Sequence, residues 1–142
     1  MITAIADTSF VVAIANRQDS QHQSCLDVYD RQDEIVLPQS TLTEICYITA
    51  RMSGNRGVRG FLQDLLESKY LLEPLSQQDI IRTAALLEQY ADARPDCVDL
   101  TIVAVAERLN ITRVLTFDRR DFSIIRPSQT THLELLPEPT AS

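Results

Sequence analysis

Ile2-Thr3-Ala4-Ile5-Ala6-Asp7-Thr8-Ser9-Phe10-Val11-Val12-Ala13 decides the fold. Its first five residues carry no polar alternation, so they read as a strand covered on both faces. That strand stops at an acid, and Ser9–Asn16 continues as a helix. The same pattern returns at Arg113-Val114-Leu115-Thr116-Phe117, again stopped by an acid, Asp118. Between them Ile35–Leu37 is a second buried strand, closed by Pro38. Tyr70–Glu73 is a third, and Leu133–Leu136 an edge strand. Helices fill the gaps: Gln23–Gln32, Thr41–Met52, then after a break at Ser53–Gly57, Val58–Ser68. Another runs from a capping box at Ser76-Gln77-Gln78-Asp79 to about Tyr90. The last, Cys97–Leu109, is strongly periodic through Val98, Ile102, Val105, Ala106 and Leu109. Short apolar strands alternating with helices predict an α/β fold around a parallel sheet.

The chain has 142 residues, with 44% apolar and 23% charged residues. That predicts one domain over residues 1–136, with a flexible tail over 137–142. No apolar run is long enough to span a membrane, and the acid at position 7 argues against a secretory signal. Thirteen basic residues face twenty acidic ones, a net charge of −7. A general nucleic-acid binder would be basic, so either nucleic acid is no partner or the acids gather around cations. Cys25, Cys46 and Cys97 form no C-x-x-C, and only His22 and His132 accompany them. Zinc and a disulfide framework are thereby disfavoured; reduced, buried cysteines in a cytoplasmic protein are expected.

The acids acquire meaning from the sheet, because open α/β sheets bind ligands at the carboxyl ends of their strands. Asp7 and Asp118 end two strands. Glu44 falls one turn into the helix after the strand closed by Pro38. Asp96 and Asp99 open the Cys97–Leu109 helix. Each has an ordinary structural role open to it as well. Asp7 and Asp96 suit helix N-caps, Glu44 can close a capping box with Thr41, and Asp99 suits a first helical turn. Together at one edge they would repel one another unless a cation intervened. Oxygen ligands without His or Cys suit Mg²⁺ or Mn²⁺, ions that also engage phosphate.

Four segments then resemble one family. Asp7-Thr8-Ser9-Phe10-Val11-Val12-Ala13 resembles the opening of PIN-domain ribonucleases, and Ser40-Thr41-Leu42-Thr43-Glu44-Ile45 resembles the helix with their second acid. Asp96-Cys97-Val98-Asp99-Leu100-Thr101-Ile102-Val103-Ala104-Val105-Ala106-Glu107 and Thr116-Phe117-Asp118-Arg119-Arg120-Asp121-Phe122 resemble the remaining two motifs. Order and spacing are similar to the small VapC-type toxins. The resemblance implies a three-layer α/β/α sandwich around a mostly parallel central sheet. It implies Asp7, Glu44, Asp99 and Asp118 as catalytic acids, with Asp96 joining them around Mg²⁺ or Mn²⁺. It implies supporting hydroxyls at Thr8 or Ser9 and at Thr116. Leu100, where a small residue is usual, and Asp121, where His or another residue can stand, depart from the pattern.

The activity implied is metal-dependent hydrolysis of RNA phosphodiesters, leaving a 5′-phosphate and a 3′-hydroxyl. The implied partners are RNA, a cognate antitoxin and a second copy of the chain in a homodimer. Arg51, Arg56 and Arg59, in a stretch free of acids and loosened by Gly54, Gly57 and Gly60, are expected to contact RNA. Arg119 and Arg120, beside Asp118, are candidates too, and for all five a solvated charged surface or an antitoxin contact is an equally open reading. Tyr47 and Tyr70 could stack on bases, with core or interface packing the stronger expectation. Two other readings stand beside this one: a PIN nuclease of RNA maturation, and a partner-binding module without activity. An aspartyl phosphatase would want a second acid where Ser9 stands. A receiver domain would want a lysine near the last strand, and the sole lysine is Lys69.

Overall fold

All five strands of the computed structural model, which describes residues 2–139, are parallel. They are β1 (Ile2–Ala6), β2 (Glu34–Pro38), β3 (Tyr70–Glu73), β4 (Arg113–Leu115) and β5 (Glu134–Leu136), in the order β3-β2-β1-β4-β5. The helices are α1 (Thr8–Ala15), α2 (His22–Arg31), α3 (Ser40–Leu65), α4 (Gln77–Gln89), α5 (Cys97–Leu109) and α6 (Arg120–Ile124). Residues 140–142, in the expected tail, lie outside the described residues.

Alternating strand residues feed two separate cores, which makes the molecule a three-layer α/β/α sandwich. Ile5, Val36, Val114 and Leu135 pack on one side against Leu86, Leu100, Val103 and Phe122, from α4, α5 and α6. Ala4, Ala6, Ile35, Leu37 and Leu115 pack on the other against Phe10, Val11, Val28, Ile45 and Leu65, from α1, α2 and α3. Every residue of α5 from Leu100 to Ala106 is buried, so this helix is apolar nearly all round and belongs inside the domain.

The chain leaves β1 in one direction toward β2 and returns on its other side at β4. That reversal puts a crevice outside the carboxyl ends of β1 and β4, the place where such sheets bind ligands.

Four details depart from the sequence expectations. The break at Ser53–Gly57 is not a flexible loop but a sharp kink inside α3. Only Gly54 leaves helical geometry, at φ 67° and ψ −174°. A Cβ there meets no neighbour, so the constraint is the backbone itself. Gly54→Ala should cost about 1–2 kcal/mol in urea unfolding, and an unchanged midpoint would show that the kink relaxes freely. The strand before Asp118 stops at Leu115, because Thr116 turns its hydroxyl into the site described below. The α6 turn lies where the sequence showed no helix. Finally, Cys25 is buried and its thiol is pushed up to about 12, chiefly by burial, but Cys97 is exposed on the first turn of α5.

The expected capping box on α4 is present: Ser76 Oγ accepts from Asp79 N at 3.1 Å, and Asp79 Oδ2 accepts from Ser76 N at 2.9 Å. Arg108 of α5 also donates to Asp79, at 2.9 Å from Nε and 2.9 Å from Nη2. Burial raises the Asp79 pKa, but these bonds outweigh it and hold the carboxyl below its usual value of 3.8. Asp79→Asn should therefore cost about 2 kcal/mol at neutral pH. Because the folded-state pKa is depressed, this contribution is present above the unfolded value and lost as pH falls through the folded one. A urea series at pH 7 and pH 3 checks it; the wild-type advantage should shrink at the lower pH.

Candidate active site

A cavity of about 320 Å³ opens at the crevice between β1 and β4, lined by Asp7, Glu44, Asp96, Asp99, Asp118 and Asp121. Thr8, Ser9, Ile48 and Arg120 complete its walls. Five separate chain segments supply these residues. Asp7 follows β1 and Glu44 sits one turn into α3. Asp96 and Asp99 open α5, Asp118 follows β4, and Asp121 lies on α6.

Asp7 is the most constrained of them, at 3% exposure. It caps α1 by accepting from Phe10 N at 3.0 Å. Ser9 Oγ donates to its Oδ1 at 2.7 Å and Thr116 Oγ1 to its Oδ2 at 2.5 Å. Thr116 Oγ1 also accepts from Asp118 N at 3.0 Å, so one hydroxyl ties the first acid to the fourth. Burial pushes Asp7 up to about 6 against these three hydrogen bonds, and the charge of Asp118 adds to the rise.

Asp96 caps α5 through Val98 N at 2.8 Å. Asp99, half-buried, is pushed well above the usual carboxylate range. Burial is the main cause, followed by a hydrogen bond with Asp121 and the charges of Asp7, Asp96 and Asp121. Asp121 is buried, accepts from Asp96 N at 2.9 Å and pairs with Arg120 at 2.7 Å. Bringing the Asp99 and Asp121 carboxyls together in this way makes a fully ionised Asp99 costly without a cation beside it.

Such a set of carboxylates is the donor chemistry of a hard divalent cation. The Thr8 hydroxyl, buried in the same wall, has no hydrogen-bond partner, and a hydrated ion would supply one. Among the described residues, no three His, Cys, Asp or Glu side chains are arranged to hold a metal outright. The donor set is all oxygen, the chemistry that Mg²⁺ and Mn²⁺ take.

A sequence model of the PIN domain matches residues 4–126. The chain belongs to the PIN-domain family. It is 27% identical over 124 residues to Ribonuclease VapC26 of Mycobacterium tuberculosis, covering 87% of this chain and 92% of the relative. The crystal structure of VapC20 from the same organism, a sarcin–ricin loop cleaving toxin, superposes with a TM-score of 0.75. There the identity is 20%, over 82% of this chain and 90% of that one. A toxin–antitoxin complex from Klebsiella pneumoniae gives 0.65 at 18% identity, over 87% and 92%.

In this PIN domain the five acids singled out from sequence all line one cavity. The cap roles of Asp7 and Asp96 coexist with their place among its lining residues. Glu44 makes no capping box with Thr41. Gln39 is the cap residue of α3, and the Thr41 hydroxyl donates instead to Pro38 O at 2.8 Å. Of the three supporting hydroxyls, Ser9 and Thr116 hold Asp7, while Thr8 does not. Asp121 was passed over as a site residue. The signal was in Asp118-Arg119-Arg120-Asp121-Phe122, where a second Asp follows three residues after the acid beyond β4.

The arginines divide. Arg120 lines the cavity and donates to Asp121 and to the carbonyls of Ala93 and Arg94 ahead of α5. Arg119 turns away, donating to Leu135 O at 3.2 Å and Pro137 O at 2.9 Å. Arg51 is exposed on α3 one turn beyond Ile48. Arg56 and Arg59 are exposed past the Gly54 kink and do not line the cavity; Arg59 instead borders a shallow groove with Leu62 and Leu66.

Proposed function

We infer that this protein is a metal-dependent endoribonuclease acting as the toxin of a type II toxin–antitoxin pair. The observation that carries the reading is the convergence of six carboxylates on one cavity at the switch point of a PIN fold. Asp7, Asp99 and Asp118, with Glu44 and Asp96, are the residues that would hold Mg²⁺ or Mn²⁺. When bound, the ion activates water and neutralises charge on the scissile phosphate. The chain's own residues prepare the place for it. Ser9 and Thr116 fix the Asp7 carboxylate. Arg120, the cationic residue among the cavity walls, is placed to meet a phosphate oxygen. No side-chain nucleophile is required.

RNA is the substrate class that the PIN relatives suggest. VapC26 is a ribonuclease by name, and VapC20 is described as cleaving the sarcin–ricin loop. The toxin role implies a cytoplasmic protein held by an antitoxin. A second groove of about 510 Å³ offers that partner a docking surface. Val11, Ile14, Phe61, Leu65 and Tyr70 line it, and the buried Tyr70 hydroxyl has no hydrogen-bond partner. Among the described residues no helix is long and apolar enough to cross a membrane.

The test is cleavage of a mixed pool of structured RNA by purified protein in Mg²⁺, Mn²⁺ or EDTA, beside Asp7→Asn. The expected result is cleavage that needs both the metal and Asp7. Cleavage that persists in EDTA would sink the metal assignment, and no cleavage together with no Mn²⁺ binding by calorimetry would leave a partner-binding module.

A further inference from the structure

The sequence favours packing for Tyr47, yet the residue is 63% exposed. An exposed aromatic ring on a helix that carries a site acid needs a reason. Successive residues of an α-helix are 100° apart, so Glu44, Ile48 and Arg51 form one stripe and Tyr47 stands beside it. Glu44 and Ile48 already line the acidic cavity. Tyr47 and Arg51 therefore continue its wall outward, reaching about 10 Å along the helix axis from Glu44. The two are joined: the Arg51 guanidinium lies over the Tyr47 ring, 5.9 Å from its centroid. The contact puts a cation beside the ring, and the residue remains largely open to solvent. The stretch from Ile45 to Gln63 carries no acid, so this ledge is cationic where the cavity next to it is anionic.

We propose that Tyr47 and Arg51 form a stacking ledge that holds an unpaired base beside the scissile phosphate. The inference rests on the nuclease reading above. A base presents a π-face to Tyr47 whatever its identity, and Arg51 offers its guanidinium to the adjoining phosphate. The carboxylates repel every phosphate except the one neutralised by the cation. A cationic, aromatic grip immediately outside them lets a polyanion approach a site of like charge. The ledge selects single-stranded or looped RNA, because a base paired in a duplex cannot offer its face.

The experiment compares wild type, Tyr47→Ala, Tyr47→Phe and Arg51→Gln on short single-stranded RNA oligomers of randomised sequence in Mg²⁺. Cleavage kinetics are read together with sedimentation of each protein. Tyr47→Ala should raise KM about tenfold with kcat little changed, and Tyr47→Phe should restore it. Arg51→Gln should reduce the salt dependence of KM by about one phosphate contact. Wild type that cleaves, beside a Tyr47→Ala variant with unchanged KM, overturns the ledge alone. So does a wild-type dimer that Tyr47→Ala dissociates, since a second copy would then cover the ring. Wild type that neither binds nor cleaves these oligomers overturns the nuclease reading and the ledge with it.

Discussion

Asp99→Asn should lower RNA cleavage by about a thousandfold while raising the melting temperature of the metal-free protein. The two effects share one cause. Asp99 sits half-buried, hydrogen-bonded to Asp121 and in the field of Asp7 and Asp96. Holding negative charge there costs folding free energy, which only a cation or a proton relieves. Asparagine keeps the shape, and its amide can donate to Asp121, but it brings no charge and is a poor ligand for a hard ion. The variant therefore loses what the reaction needs and sheds what the fold resists, the trade-off expected of a functional residue. A calorimetric melt in EDTA, read beside the cleavage assay, separates this from plain damage. Lower stability with lower activity would make Asp99 a structural residue, and activity within tenfold of wild type would remove it from the metal site.

The metal-free protein should lose stability as pH rises from about 4 to about 6, the reverse of the usual carboxylate behaviour. Asp7 has a folded-state value of about 6 against 3.8 for the free side chain. Between those values the folded state binds more protons than the unfolded state, so stability falls with rising pH. The gap corresponds to about 3 kcal/mol once pH exceeds both values, or about 10 °C in melting temperature for a chain of this length. Asp7→Asn should remove about that much of the fall and leave the part that the raised Asp99 carries. Mg²⁺ should flatten the profile in wild type, because it binds the ionised, folded form only. Melts from pH 4 to pH 7, in EDTA and in Mg²⁺, check both. A flat wild-type profile in EDTA would mean that Asp7 is ionised without cost, and the argument for a resident cation would weaken with it.

Sequence revealed the fold through its periods. Unalternating apolar runs such as Ile2–Ala6 occur where both faces of a strand are covered, and the two cores bear this out for Ala4, Ile5 and Ala6. The helix bounds at Cys97–Leu109 were readable because Asp96 caps one end and Asn110, in the left-handed conformation, closes the other. What sequence hid was set by tertiary contacts. Leu115 ends β4 two residues early because Thr116 serves Asp7, a contact spanning 109 positions. The α6 turn is short, and it exists because Phe122 and Ile125 reach the core. For the same reason the sequence shows Asp121 only as a departure from the family pattern. Burial and the Asp96 amide, rather than local pattern, make it a member of the site. Arg119 and Arg120 were indistinguishable as adjacent letters; only the chain's return as β5 assigns one to the cavity and the other to the C-terminal segment.

That return of the chain has a practical consequence. Leu136 O accepts from Thr116 N at 2.7 Å, and Arg119, next to Asp118, grips the carbonyls of Leu135 and Pro137. Thr116 in turn holds Asp7. A chain clipped ahead of Glu134 by a protease would keep every one of its six carboxylates and still lose the brace behind two of them. Mass spectrometry of the C-terminus therefore belongs beside any inactive preparation, since a trimmed protein and a disarmed one would look alike in a cleavage assay.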